Sequence, residues 1–369
     1  MPVRRLLVLF AVLIATLAQA APPAGYYDSV DLTSPATLRQ TVHNVIDGHT
    51  RYPYTSSSTD TWDILEEADE DPYNSSRVLD IYRNRVYTKT GGGAGPYNRE
   101  HSWPNSYGFG SSGDMPYTDC HHLFICDTDY NNNRGNLPFG ECDSGCTARA
   151  TDFYDGRSGT NYYNTSVWET WDGRKGDVAR AMFYMDVRYA GDVSGEPDLV
   201  LTDNAALIVP TDGAVAYMGL LSVLIQWHKD DPVDDRERDR NDVVYSYQGN
   251  RNPFVDHPEW VSGIFEGVIS AVPEAALASG RIDAVYPNPF NPRTTVSYTL
   301  QDAGLVSLEI YGVDGRRVRV LLNDLRGPGT FTAGWDGRDD AGRPVASGAW
   351  FVRMRAGQVV DTEKVTLTK

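Results

Sequence analysis

The sequence predicts an α+β protein in which a mostly helical domain precedes a small all-β sandwich. Before Phe265, several stretches place apolar side chains at helical spacing, whereas short β-type runs separated by Gly, Asp and Asn turns follow Ile282. The length of 369 residues exceeds one average domain and also favours two. A hydrophobic content of 41% is enough for packed cores and argues against a disordered chain.

The N-terminal residues predict export. The pair Arg4-Arg5 precedes an apolar run over residues 6–17, and residues 18–20 (Ala-Gln-Ala) form a small-residue cleavage pattern. We assign residues 1–20 to a signal peptide; an uncleaved anchor is disfavoured because the run is short for a membrane span. The mature chain is therefore expected to have no stable membrane span and to act in the periplasm, outside the cell or at its surface.

Helical spacing accounts for most of the first domain, which we place at residues 21–265. Ser34-Pro35 provides an N-cap and a first-turn proline for a helix that ends near Gly48. Further helices are predicted over residues 61–68, 178–189 and 214–227, and one more begins at 231–234. Its face with Glu237, Arg238 and Arg240 is expected to be solvated. Strands are expected at 78–82 and 86–87.

Four cysteines lie in or just after the centre of this domain: Cys120, Cys126, Cys142 and Cys146. In an exported protein disulfides are the expected state, and three pairings are open. A zinc site is the weaker alternative because the spacing does not match paired knuckles. We expect the disulfides to hold residues 135–176, which show little periodicity and predict a long irregular segment.

Residues 98–136 concentrate side chains suited to phosphodiester hydrolysis. Glu100 and an Asn carboxamide oxygen are hard donors of the kind that bind Mg²⁺ or Ca²⁺. His101 points away from Glu100 if the pair lies on a strand, and is then free to act as a general base. Asp127 can cap a helix that begins at Thr128 and places Asn131 and Arg134 on one face. The planar fork of Arg134 can bind two phosphate oxygens, although a surface ion pair is an equal alternative.

These motifs resemble those of the bacterial endonuclease I family, exported nucleases with a ββα-metal fold. The family's Glu-His-x-x-Pro corresponds to residues 100–104, its Asp-Leu-His-x-Leu to 119–123 and its Asn-rich helix with Arg-x-Asn to 131–136. Residues 248–259 are similar to the end of the family's catalytic domain. The resemblance runs in order from Ser34 to Trp260 and is more specific than any single motif.

The resemblance implies a secreted, metal-dependent, non-specific endonuclease that cuts DNA, with RNA left open, and produces 5′-phosphate ends. Glu100 and Asn131 would bind Mg²⁺, or Ca²⁺ or Mn²⁺, and His101 would be the general base. Three other asparagines are competing candidates for the position of the family's second metal ligand, namely Asn132, Asn133 and Asn136. The family pattern has one His in the segment of His121 and His122, so a catalytic role and support of the hairpin are both open for them.

Two features depart from the family pattern. Cys120 occupies a position where the family usually has Leu, and no arginine lies between Trp103 and Asp119, where the family's transition-state arginine is found. Arg99 and Arg251 are weaker candidates for a phosphate contact. The formal charge of −17, or −19 without Arg4 and Arg5, disfavours non-specific binding to a polyanion. Local arginines must therefore line any substrate groove.

The tail is expected to be an appendage. Residues 266–281 predict a linker and 282–369 an immunoglobulin-like sandwich, with strands over 294–300, 305–311, 317–322, 329–335 and 349–355. Residues 286–292, 313–316 and 335–342 resemble hook-capping-type modules and type IX secretion sorting domains. This implies contact with secretion machinery or the cell surface; carbohydrate binding is the alternative for the sandwich.

Other functions remain open at this point. The same site would suit a metal-dependent phosphoesterase on smaller substrates, and a non-catalytic surface-binding protein is a third hypothesis. We expect a monomer.

Overall fold

The computed structural model describes residues 22–92, 95–268, 280–301, 304–313, 315–326, 328–340, 343–356 and 359–368. The chain divides into two compact units, Met1–Ile269 (unit 1) and Ser270–Lys369 (unit 2). The predicted signal peptide and most of the predicted linker lie outside the described residues, as do Asp314 and residues 341–342 of the tail motifs. In the described parts of the chain, we find no helix with the length and apolar character that crossing a membrane requires.

Unit 1 mixes helices with short strands, as the α+β prediction requires. Its described residues form eight α-helices: α1 (Pro35–Ile46), α2 (Thr61–Ala68), α3 (Thr128–Arg134), α4 (Lys175–Arg188), α5 (Leu221–Asp230), α6 (Asp235–Gln248), α7 (Pro253–Asp256) and α8 (Trp260–Phe265). Its strands are β1 (Glu70–Asp71), β2 (Asn74–Leu79), β3 (Val86–Thr88), β4 (Tyr97–His101), β5 (Leu123–Asp127), β6 (Thr147–Ala150), β7 (Thr160–Tyr163), β8 (Trp168–Glu169), β9 (Asp198–Leu201) and β10 (Val215–Met218).

The strands of unit 1 form small separate sheets. Antiparallel pairing joins β1-β2-β3, β4-β5 and β6-β7-β8, whereas β9 and β10 are parallel. The core lies around α4, in which every residue from Gly176 to Arg188 is buried. This buried helix supports the elements that carry the candidate site.

Local capping explains why the first helices begin where the sequence predicts. The Ser34 hydroxyl accepts a hydrogen bond from the Thr37 amide, and Pro35 occupies the first turn of α1. Asp60 and Asp63 form a reciprocal capping box at the start of α2. Helix α2 matches the predicted range of 61–68, and α1 ends two residues before Gly48.

Two predictions in the second half of unit 1 are wrong. Residues 214–227 do not form one helix, because Val215–Met218 pair as strand β10 with β9 and helix α5 begins only at Leu221. The face of α6 with Glu237 and Arg240 is not solvated: both side chains are buried, and Glu237 forms an ion pair with Arg180 of α4. A charged helical face can therefore pack inward when it meets opposite charges.

The predicted disulfide state is confirmed for two of the four cysteines. Cys142 and Cys146 form a disulfide, whereas Cys120 and Cys126 are free and buried. Residues 135–176 are not held as one irregular segment, because they contain the sheet β6-β7-β8. A bridge between cysteines four positions apart constrains only its own loop.

Unit 2 consists of two antiparallel sheets with strand orders β11-β12-β15 and β14-β13-β16-β17. The strands are β11 (Gly280–Tyr286), β12 (Thr294–Leu300), β13 (Gly304–Tyr311), β14 (Arg317–Arg326), β15 (Gly329–Trp335), β16 (Gly348–Ala356) and β17 (Val359–Leu367). One hydrophobic cluster takes side chains from both sheets, for example Val296 and Tyr298 from the first and Leu308 and Met354 from the second. The sequence predicted neither β11 nor β17.

Candidate active site

The β4-β5 hairpin and helix α3 carry the predicted site residues. In the hairpin, Glu100 pairs with Phe124 and His101 with Leu123. Asp127 ends β5 and also caps α3, because its carboxylate accepts hydrogen bonds from the amides of Asp129 and Tyr130. The cap predicted from the sequence is thus present, and α3 begins directly after the second strand of the hairpin.

Glu100 is a buried carboxylate with two partners. The Tyr82 hydroxyl donates to its Oε1 at 2.8 Å, and the Arg134 guanidinium lies 3.3 Å from the same oxygen. Burial raises the pKa of Glu100 to about 7, and Arg134 and Tyr82 only partly oppose that rise. The ionised form therefore lacks full charge compensation in this structure.

His101 is held as a neutral imidazole. Its Nε2 lies 3.0 Å from the main-chain oxygen of Tyr117, so this nitrogen carries the proton and donates it to the carbonyl. Nδ1 is then left with its lone pair. Burial, followed by the nearby His122, lowers the pKa of His101 well below its usual value. The Tyr54 ring stacks on the imidazole at 5.7 Å between centroids and fixes its plane.

Asn131 faces the strand that carries Glu100. Its Nδ2 donates to the side-chain oxygen of Asn98 at 2.7 Å and to the main-chain oxygen of Arg99 at 3.4 Å. Asn98 and Glu100 lie two positions apart on β4 and share a face of the strand. The side-chain oxygen of Asn131 makes no hydrogen bond to a described residue. Its predicted role as a metal ligand stays a prediction.

The competing asparagines are placed differently. Asn132 and Asn136 are exposed, whereas the side-chain oxygen of Asn133 is buried without a hydrogen-bond partner among the described residues. Of the four asparagines, only Asn131 forms a hydrogen bond with a β4 side chain within the described residues. The geometry favours the register with Asn131, which stays a prediction.

Arg134 is buried, with 1% of its surface exposed. Its guanidinium donates to the main-chain oxygens of His101 and Ser102, pairs with Glu100 and lies over the Phe139 ring at 4.8 Å. These contacts tie α3 to the end of β4. They favour a positioning role over the predicted phosphate contact, which remains untested.

Side chains that sequence reasoning did not single out complete the site. Tyr82, Tyr117 and Tyr54 set the states of Glu100 and His101, but single tyrosines far apart in sequence carry no recognisable signal. Arg99, a weaker candidate for a phosphate contact from the sequence, lies between the Tyr54 and Trp62 rings, with its guanidinium carbon 3.3 and 4.2 Å from their centroids. It donates to Tyr54, Thr55 and Thr61, and so fastens the loop over His101.

Asp119 organises the residues behind the hairpin. Tyr184 and Tyr189 of α4 donate to its Oδ2 at 2.7 and 2.9 Å, and Gln248 donates to its Oδ1 at 3.0 Å. Burial alone would raise its pKa, but surrounding His side chains, with His49 the strongest, hold the pKa well below its usual range. The motif residue Asp119 therefore connects the hairpin to α4 and to Gln248 at the end of α6.

The donor set fits a hard divalent cation. Among the described residues, no group of three or more His, Cys, Asp or Glu side chains is placed to hold a metal. Glu100 and Asn131 instead offer one carboxylate and one carboxamide oxygen, which are ligand types that Mg²⁺ and Ca²⁺ accept alongside water and phosphate. The buried Glu100 carboxylate, with its raised pKa, would gain the charge compensation that it lacks.

The Endonuclease I family model matches residues 34–259. An extracellular ribonuclease of Bacillus subtilis (strain 168) is 43% identical over 259 residues, which are 69% of this chain and 83% of that protein. An extracellular ribonuclease of Bacillus amyloliquefaciens is 41% identical over 254 residues, or 68% of this chain and 81% of that protein.

Among solved structures, dimeric latent PorU from Porphyromonas gingivalis is similar to 25% of this chain and 10% of its own, at 21% identity and a TM-score of 0.22. A TM-score this low supports no structural conclusion.

Proposed function

Since the chain belongs to the endonuclease I family and is a nuclease, we propose that it is a secreted, metal-dependent endonuclease that cleaves RNA and DNA without sequence specificity. Similarity to two extracellular ribonucleases supports both secretion and RNA as a substrate. The hairpin β4-β5 followed by α3 would be a ββα-metal core, because it has that element order and carries Glu100, His101 and Asn131.

The state of His101 is the observation that carries this proposal. A neutral imidazole with a free Nδ1 can take a proton from an attacking water, and the Tyr117 carbonyl keeps Nε2 protonated throughout. The resulting imidazolium would still donate to that carbonyl. Attack of the water on phosphorus breaks the bond to the 3′ oxygen, which leaves as a hydroxyl after taking a proton from solvent, and the product carries a 5′-phosphate end. A proton acceptor adjacent in sequence to a buried carboxylate is what such a hydrolysis needs.

Glu100 and Asn131 would hold the cation, preferably Mg²⁺, with Ca²⁺ or Mn²⁺ as alternatives. When bound, a divalent cation neutralises phosphate charge in the transition state. Tyr82 and Arg134 orient the Glu100 carboxylate for that role. His101 is the last residue of β4, so a phosphodiester placed at the end of this strand could reach side chains on both of its faces.

Unit 2 would serve sorting or surface attachment as an immunoglobulin-like module. Its two sheets enclose their own core, and none of the proposed catalytic residues belongs to it. The protein is proposed to act as a monomer outside the cytoplasm.

The proposed function is tested by incubating mature protein with plasmid DNA and with structured RNA, in Mg²⁺ and in chelator. We expect cleavage of both polymers in Mg²⁺, none in chelator, and 5′-phosphate ends on the products. A small phosphoester should remain intact. Hydrolysis of the small ester without cleavage of either polymer would contradict the proposal and indicate a phosphoesterase.

A further inference from the structure

Because the chain is strongly acidic, the Lys and Arg side chains that pair with no carboxylate are the first candidates for binding a substrate phosphate. A nuclease of formal charge −17 must still meet a polyanion. Over residues 22–92 and 95–268, nearly every Lys and Arg forms an ion pair with a carboxylate. The exceptions within these ranges are Arg51, Arg99 and Arg149, because no carboxylate lies within ion-pair distance of them. A guanidinium that is already paired with a carboxylate has less to offer a phosphate.

Arg99 is excluded as a substrate contact because its hydrogen-bond donors are used within the protein. Its terminal nitrogens donate to the Tyr54 carbonyl and to the hydroxyls of Thr55 and Thr61. Its guanidinium is also covered by two aromatic rings. Arg99 therefore holds a loop in place and has no free fork for a substrate.

Arg149 lies beside helix α3. Its guanidinium carbon is 4.4 Å from the centroid of the Tyr130 ring, and Tyr130 directly precedes Asn131. The Tyr130 hydroxyl donates to the main-chain oxygen of Ala150, which fixes β6 against α3. The Nε of Arg149 is buried without a partner, and its terminal nitrogens make no hydrogen bond to the described residues. The stack thus holds a guanidinium with unused donors against Tyr130, the neighbour in sequence of the proposed metal ligand Asn131.

Arg51 lies on the His101 side of the site. It is exposed, and its one hydrogen bond to a described residue goes to the main-chain oxygen of Ser112 at 3.2 Å. Ser112 belongs to the β4-β5 connection, which also supplies the Tyr117 carbonyl that binds His101. Three residues after Arg51, the Tyr54 ring stacks on His101. Arg51 therefore joins the two loops that enclose the proposed base.

We propose that Arg51 and Arg149 contact substrate phosphates on the two sides of the site, Arg51 on the His101 side and Arg149 on the Asn131 side. This inference rests on the proposed function and names the residues that bind its substrate. Neither arginine lies between Trp103 and Asp119, the segment in which the family has an arginine and this sequence has none. Each guanidinium has a planar fork that suits two phosphate oxygens. Their contact would be independent of base sequence and sensitive to salt.

The test is the salt dependence of binding to a fluorescently labelled single-stranded RNA, measured by anisotropy in chelator, with the intactness of the RNA checked on a gel. Each of Arg51→Gln and Arg149→Gln should lower the magnitude of the slope of log K against log salt by about 0.7. At 0.1 M salt this corresponds to about fivefold weaker binding per residue, taking 1 M salt as the reference. The double variant should lose about twice that slope.

Arg238→Gln is the matched control, because Arg238 is similarly accessible but already pairs with Asp235 at 3.2 Å. Its slope should equal that of the wild type. Arg149→Lys keeps the charge while losing the planar stack, and should retain most of the slope even if Arg149→Gln disturbs α3.

Slopes that are unchanged in both Gln variants, or reduced equally in Arg238→Gln, would overturn the inference. Cleavage by the wild type in Mg²⁺ is scored separately. If the wild type cuts nucleic acid while the slopes do not change, only this inference fails. If the wild type neither cuts nor binds, the proposed function fails with it.

Discussion

Replacing Glu100 with Gln tests whether the buried, ionised carboxylate destabilises the metal-free protein and whether a bound cation compensates its charge. The side chain is buried, and burial raises its pKa from the ordinary 4.5 to about 7 despite Arg134 and Tyr82. A Gln has the size of the protonated acid, can still accept a hydrogen bond from Tyr82 and carries no charge. The substitution therefore removes the ionisation and the ion pair with Arg134, whose guanidinium keeps its hydrogen bonds to the main-chain oxygens of His101 and Ser102.

The size of the effect follows from the pKa. A rise from 4.5 to about 7 corresponds to about 3 kcal/mol, at roughly 1.4 kcal/mol per pH unit. The folded state favours the protonated acid. The contribution of Glu100 to the free energy of unfolding is therefore fully present below pH 4.5 and is lost as the pH rises through 7. At pH 8 without metal, Glu100→Gln should thus be more stable than the wild type by about 3 kcal/mol. For a unit of this size that is roughly 6 to 12 °C in melting temperature.

The assay is thermal unfolding of wild type and Glu100→Gln from pH 4.5 to 8, in chelator and in Mg²⁺. Other buried acids with raised pKa values, such as Asp80 and Glu237, titrate in both proteins and cancel in the comparison. Mg²⁺ should stabilise the wild type by about 2.7 kcal/mol at a hundred times its dissociation constant and leave the variant unchanged. Equal melting of the two proteins at pH 8 in chelator, or an equal Mg²⁺ shift in both, would refute the reasoning.

Three further predictions concern the rest of the site. Asn131→Ala should raise the Mg²⁺ concentration needed for half-maximal cleavage, with activity partly restored at high Mg²⁺; a larger effect from the exposed Asn132→Ala would show that the register is wrong. Arg134→Ala should destabilise the protein by about 3 to 5 kcal/mol in urea unfolding at pH 8, where Glu100 is ionised, because it leaves that carboxylate unpaired; wild-type stability with lost activity would instead favour a phosphate contact. A chain truncated after residue 270 should cut plasmid DNA at the full-length rate, and a folded but inactive product would show that unit 2 takes part in substrate binding.

The helix starts and the family could be predicted from the sequence, because both depend on residues that lie close together along the chain. Ser34-Pro35 and Asp127 define helix starts by bonds to amides a few residues away, so α1 and α3 begin where predicted. The order of motifs identified the family, and the match over residues 34–259 confirms it. These signals do not depend on distant parts of the chain.

The parts that could not be predicted depend on distant partners. An apolar stretch over residues 215–218 becomes a strand because β9 lies beside it, which no periodicity reveals. Arg240 turns inward because Asp69, 171 positions away, accepts its hydrogen bond. Likewise, the tautomer of His101 depends on a carbonyl in the β4-β5 connection. Sequence patterns name such residues but do not give their environment.

The most direct test of the account is nucleic-acid cleavage by His101→Ala beside the wild type, each with its Mg²⁺-dependent melting shift. The His101 ring makes no hydrogen bond to Glu100 or Asn131, so we expect the variant to lose most of its activity and keep the wild-type Mg²⁺ shift. Cleavage by the variant at the wild-type rate would contradict the account. So would loss of the Mg²⁺ shift in the variant, because His101 would then belong to the cation site and not act as the base.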